Sequence, residues 1–86
     1  MRVTVQYFAR LRELAGRSEW PCELADGATV ADVWRACTDA TPAIAALSKS
    51  ISSAVNDDFA SATTTVRDGD VIAFLPPVSG GARVRP

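Results

Sequence analysis

Residues 68–81, Asp-Gly-Asp-Val-Ile-Ala-Phe-Leu-Pro-Pro-Val-Ser-Gly-Gly, constrain this chain more than any other stretch. Asp68-Gly69-Asp70 is a turn signal, because glycine enters positive φ cheaply and aspartate bonds its own backbone. Val71 to Leu75 is an unbroken apolar run of strand length, which predicts a strand buried on at least one face. Pro76-Pro77 stops it, since neither residue has an N–H for a ladder and both favour an extended backbone. The chain therefore leaves the sheet straight. Val78-Ser79-Gly80-Gly81 follows, nearly without side chains at its end. From Pro76 to Gly81 the segment can reach ~20 Å at full extension. Two readings fit: a terminal strand with a frayed end, or a tail built to thread a narrow channel in another protein.

The rest of the composition limits what such a tail can serve. A chain of 86 residues with 48% apolar and 22% charged residues makes one domain around one core. That exceeds the ~60 residues at which a core is marginal, but is too small to enclose a deep active site. The net charge of −1 argues against a nucleic-acid partner. No stretch is long enough to span a membrane, and no basic leader with an apolar core stands at the start, so the expected compartment is the cytoplasm. Histidine is absent, which removes the commonest general base and metal ligand. Cys22 and Cys37 match no zinc or redox spacing and read as small buried hydrophobes in a reducing compartment. No metal and no stably bound cofactor is expected.

Taken in order, Arg2 to Phe8 alternates, with Val3, Val5 and Tyr7 on one face, as in a half-buried strand. Leu11 and Leu14 lie three apart before Gly16, which predicts a short helix over Ala9–Ala15. Ser18 to Leu24 reads as an edge strand that tolerates Pro21, with Trp20, Cys22 and Leu24 facing inward. Thr29 and Asp32 form a capping-box pattern. Val30, Val33, Trp34 and Cys37 then recur at helical spacing, giving the main helix, which ends near Asp39, with Val33 and Trp34 expected to be buried and Trp34 to anchor the core. Thr41-Pro42 opens a shorter helical piece to about Lys49. Ile51–Val55 is a strand, Asn56-Asp57-Asp58 a turn, Phe59–Ser61 a short return strand, and Ala62–Thr65 a loop. This order predicts an α+β roll, a mixed four- or five-stranded sheet crossed by one main helix. The first and last strands should lie side by side in its middle. Helices can cover only one sheet face. Phe8 and Leu75 point to the other, and with Phe59 they are expected to form an apolar patch near the tail.

At this point the residues resemble the small, sulfur-carrying subunit of molybdopterin synthase. The resemblance runs from Met1 to Gly81. It rests on Tyr7-Phe8-Ala9-Arg10-Leu11-Arg12-Glu13-Leu14-Ala15-Gly16, on Ala54-Val55-Asn56, and on Asp68 to Gly81. It implies a ubiquitin-like β-grasp fold for residues 1–81 and a non-catalytic carrier role. Gly81 would be the reactive residue. An adenylyltransferase related to ubiquitin E1 would activate its carboxylate with ATP and magnesium, and a sulfur donor would convert it to a thiocarboxylate. The tail, Pro76 to Gly81, would then enter the large synthase subunit and donate sulfur to cyclic pyranopterin monophosphate. The open-face parity of Phe8, Phe59 and Leu75 beside the tail makes them the expected docking face for those partners.

One departure stands out. Such chains usually stop at the diglycine, whereas this one continues as Ala82-Arg83-Val84-Arg85-Pro86. The Gly81 carboxyl is thus an amide. Either a processing peptidase removes residues 82–86, or the chain is not a competent carrier. Two other roles stay open. One is a carrier for thiamin or cysteine synthesis or a ubiquitin-like modifier. The other is a plain β-grasp interaction module.

Overall fold

The computed structural model describes residues 1–77. Its elements are β1 (Arg2–Tyr7), α1 (Ala9–Ala15), β2 (Glu19–Glu23), α2 (Val30–Ala40), a 3-10 helix (Pro42–Leu47), β3 (Ser52–Val55), β4 (Asp58–Ala60) and β5 (Val71–Leu75). They form a mixed five-stranded sheet in the order β2-β1-β5-β3-β4. β1 and β5 run parallel inside it, and the remaining pairs are antiparallel. Pro21 falls on β2, an edge strand, where its missing donor leaves no inner ladder bond unmade.

The alternation in β1 buries Val3, Val5 and Tyr7, and their parallel neighbours Ile72 and Phe74 on β5 are fully buried beside them. α2 lays Val30, Val33 and Cys37 on this face. Its start is the capping box expected from sequence: Asp32 N–H donates to the Thr29 hydroxyl, and Thr29 N–H to the Asp32 carboxylate. Trp34 was expected in the core but is only partly buried. It meets Phe74 edge-on, with ring centres 4.9 Å apart, and its indole N–H donates to Ser48 Oγ at 2.9 Å.

The segment from Ala62 to Thr65 does more than a plain loop. Val30 N–H donates to Thr64 O and Ala31 N–H to Ala62 O, so it satisfies two of the orphan donors of the α2 first turn. It also delivers Val66 into the core, and the 3-10 helix delivers Ile44. The turn after β3 is tighter than expected. Only Asn56 and Asp57 make it, both at positive φ, which is the two-residue hairpin geometry that suits the twist of the flanking strands.

Ala9 has φ 51°, left-handed for a residue with a Cβ. That costs ~1–2 kcal/mol. The reversal lets β1 end at Tyr7 while α1 turns back to bury Leu11. Replacing Ala9 with glycine should raise stability by about 0.5–1 kcal/mol after the added unfolded-chain entropy. A thermal melt that shows no gain, or a loss, would contradict this account.

Candidate functional site

The last strand is held at its start by a dense set of backbone bonds. Gly69, at φ 86°, lets the Asp68–Asp70 turn close against β1. Asp68 Oδ1 accepts from Arg2 N–H (2.7 Å), Gly69 N–H donates to Arg2 O (2.8 Å), and Thr4 N–H to Asp70 O (3.0 Å). From the other side Asn56 clamps the same point. Its Oδ1 accepts from Val71 N–H, and its Nδ2 donates to Asp70 Oδ1, both at 2.9 Å. These bonds fix the register in which Val71 enters the sheet, and with it the point where the chain leaves.

The register also defines the sheet face that the helices leave uncovered. Ile72 and Phe74 face the core, so Val71, Ala73 and Leu75 face away. Ala73 is paired with Gln6 on one side and Ala54 on the other, and Ala54 with Phe59. Leu75 is paired with Ser52. The result is a strip of Phe59, Ala54, Ala73 and Leu75, bordered towards β2 by Gln6, Thr4, Glu19 and Glu23. Phe59 is 83% exposed and Phe8 42%, while Leu75 is half-buried. Phe8 follows Tyr7, the partner of Phe74, so it extends the strip beside Leu75. It occupies the N-cap position of α1 rather than the strand itself.

Phe8, Phe59 and Leu75 thus share one open face, linked by two alanines that sequence reasoning passed over. Nothing in a single strand marks Ala54 and Ala73 as part of a surface. They join it through the cross-strand offset, which only pairing reveals. Of the tail, Pro76 is half-buried and Pro77 exposed. Val78, Ser79, Gly80, Gly81 and residues 82–86 lie outside the described residues.

Among the described residues no cluster of three or more acidic or cysteine side chains is arranged to hold a metal ion. Among the described residues no helix is long and apolar enough to cross a membrane. The two thiols are buried and unlinked. Burial pushes Cys37 up to about 12 and raises Cys22 as well. Tyr7 is raised too, by burial first and by the adjacent Cys37 thiol second. All three therefore stay protonated at neutral pH. The contribution of Cys37 to stability is complete below the ordinary thiol value, near 9.0, and is lost as pH rises towards about 12, because the unfolded chain ionises first. Urea midpoints should hold level from pH 7 to 8.5 and then fall. A Cys37→Ala variant should show a shallower fall, and an equal slope would remove Cys37 from this account.

A mixed sheet of this order under one main helix, with an uncovered face and a last strand running off its end, is a ubiquitin-like β-grasp domain. The chain belongs to the ThiS family, whose model matches residues 5–81. It is 37% identical to the molybdopterin synthase sulfur carrier subunit of Chlamydomonas reinhardtii, over 94% of this chain and all of that protein. Its fold is similar to that of SAMP1, a small archaeal modifier protein, from Haloferax volcanii, with TM-score 0.86 and 29% identity, over 94% of this chain and 100% of that one. It is also similar to a chain in the complex of subunits 1 and 2 of the molybdopterin-converting factor from Helicobacter pylori. There the TM-score is 0.67 and the identity 26%, over 94% of this chain and 100% of that one.

Proposed function

We propose that this chain is the sulfur carrier of a molybdopterin synthase. The observation that carries the reading is the uncovered sheet face on which Phe8 and Phe59 are exposed and Leu75 is half-buried, beside the point where β5 runs into Pro76-Pro77. The Chlamydomonas relative, named as such a carrier and aligned over nearly the whole chain, supports it. The chain supplies a covalent handle, and its partners supply the acids, bases and pocket. Gly81 must first be freed by cleavage of its bond to Ala82. Its carboxylate oxygen then attacks the α-phosphate of ATP on an E1-like, magnesium-dependent enzyme, and pyrophosphate leaves. The acyl-adenylate is the activated form, because AMP is a far better leaving group than oxide. Sulfur from a donor displaces AMP and gives the thiocarboxylate, an ionised soft nucleophile at neutral pH. Glycines at positions 80 and 81 let that group pass where a Cβ would block it. In the large subunit its sulfur bonds to cyclic pyranopterin monophosphate, and water then cleaves the acyl–sulfur bond, leaving the sulfur on the pterin and returning the Gly81 carboxylate. The SAMP1 neighbour favours a second reading, in which the same activated carboxyl is joined to an amine of another protein.

The strip is the docking face for the large subunit in this proposal. Apolar anchors at the centre of an interface often contribute ~2 kcal/mol or more each, so Phe8→Ala and Leu75→Ala should each weaken binding on the order of thirtyfold. Titration calorimetry against the large subunit, with circular dichroism to check folding, tests this. Wild-type affinity in both folded variants would rule the docking face out.

A further inference from the structure

The net charge of −1 conceals a separation of charge along the sheet. β1 and β5 run parallel, so both end on the side of the domain where the chain leaves. Arg10 and Arg12 lie on α1, which follows Phe8 directly and packs beside β5. Arg17 precedes Ser18, whose carbonyl accepts from Tyr7 N–H at 2.9 Å. Lys49 stands shortly before Ser52, the register partner of Leu75. The acids at this end are Glu13, 3.9 Å from Arg10, and Glu19, opposite Gln6. Among the described residues Arg12, Arg17 and Lys49 form no salt bridge, and all three are exposed. Phe8 and Arg12 also line one shallow cleft of about 200 Å³ with Gln6, Tyr7, Ser18 and Glu19. The cationic end therefore adjoins an anchor of the docking face.

The opposite end carries the reverse sign. Asp68 and Asp70 make the turn into β5, and Asp57 and Asp58 follow Asn56, which is bonded to Asp70. Glu23 is paired with Arg2 at 2.6 Å, and Asp26 lies 4.0 Å from the N-terminal amine. Arg67, whose N–H donates to Asp70, is the further cation at this end.

We propose that the large subunit carries aspartates and glutamates around the mouth that receives the tail, and that the cationic end of this chain turns the tail towards that mouth before contact. The proposal rests on the carrier reading and adds the charge of the partner surface. Opposite charges on facing surfaces raise the rate of encounter and set orientation more than they raise final affinity. The two ends work together. An acidic mouth attracts Arg12, Arg17 and Lys49 and repels the carboxylates of the far end, which suppresses the inverted approach. The pocket that holds the phosphate-bearing substrate lies beyond the range of these charges. From Pro76 to Gly81 the tail can reach ~20 Å, more than twice the ~8 Å over which exposed charges act at physiological salt.

Stopped-flow association with the large subunit tests this, using the chain cut after Gly81, which keeps every element from β1 to β5. Arg12→Glu and Arg17→Glu should each slow association about threefold or more at ~20 mM salt, and the difference should vanish near ~500 mM, where screening removes it. Dissociation should hardly change. Arg35→Glu makes the same change in net charge on α2, where Arg35 pairs with Asp32, and should leave the rate within about twofold. Equal slowing by all three variants would reduce the effect to net charge and overturn the proposal. Unchanged rates for Arg12→Glu and Arg17→Glu would do the same, as would faster association, which would make the mouth cationic. Phe8→Ala reads the docking face separately: it should speed dissociation and leave the salt dependence of association as in wild type. Failure of the acidic mouth and failure of the docking face thus give different results.

Discussion

Truncating Phe74 to alanine is expected to destabilise the domain by about 3–5 kcal/mol. Phe74 is fully buried on β5, between β1 and β3, and it is the ring on which Trp34 packs. Removing it opens a cavity where sheet and helix meet, and β5 cannot collapse to fill the space because both its edges are already paired. A domain of this size has roughly 5–15 kcal/mol of stability in total, so the loss is a large share of it. Phe59→Ala is the control. It removes a ring of the same size from an 83% exposed position, and should change stability by no more than about 0.5 kcal/mol. Urea unfolding should show a lower midpoint at an unchanged slope for Phe74→Ala, and almost no shift for Phe59→Ala. Equal effects of the two substitutions would mean that the faces of β5 and β4 are wrongly assigned.

That contrast also marks how far the sequence alone could be read. The strand parity of Val3, Val5, Tyr7, Ile72 and Phe74, the capping box at Thr29 and the proline on an edge strand were all legible, because each depends on near neighbours in the chain. Val66 and Ile44 were not. Val66 follows a threonine-rich stretch without periodicity, and its place is set by bonds from residues 62 and 64 to the start of α2, some thirty residues earlier in the chain. The open face was half legible. Parity turned Leu75 outward and left Phe8 beyond the buried alternation, but the alanines between Leu75 and Phe59 could be found only from the offsets of β3 against β4 and β5. Trp34 was misplaced for a related reason. Helical spacing puts it on the apolar face of α2, where it packs against the core through Phe74 while its indole N–H reaches out to Ser48.

A chain ending at Gly81 is expected to support ATP–pyrophosphate exchange with its activating enzyme, and the chain continuing to Pro86 is not. The difference should be all or none, because it is chemical. Adenylation needs a carboxylate oxygen to attack the α-phosphate, and in the longer chain that carbonyl is an amide bonded to Ala82. Amide resonance leaves neither a free oxygen nucleophile nor a leaving group. Charge works in the same direction: Arg83 and Arg85 would carry two cations into a passage that suits glycine, and their desolvation would cost several kcal/mol if unpaired. Adding a host peptidase that cuts after Gly81 should restore exchange. Incubation with a sulfur donor should then raise the intact mass by the difference between sulfur and oxygen. Exchange by a chain whose mass confirms that it still ends at Pro86 would place the reactive carboxyl somewhere other than Gly81.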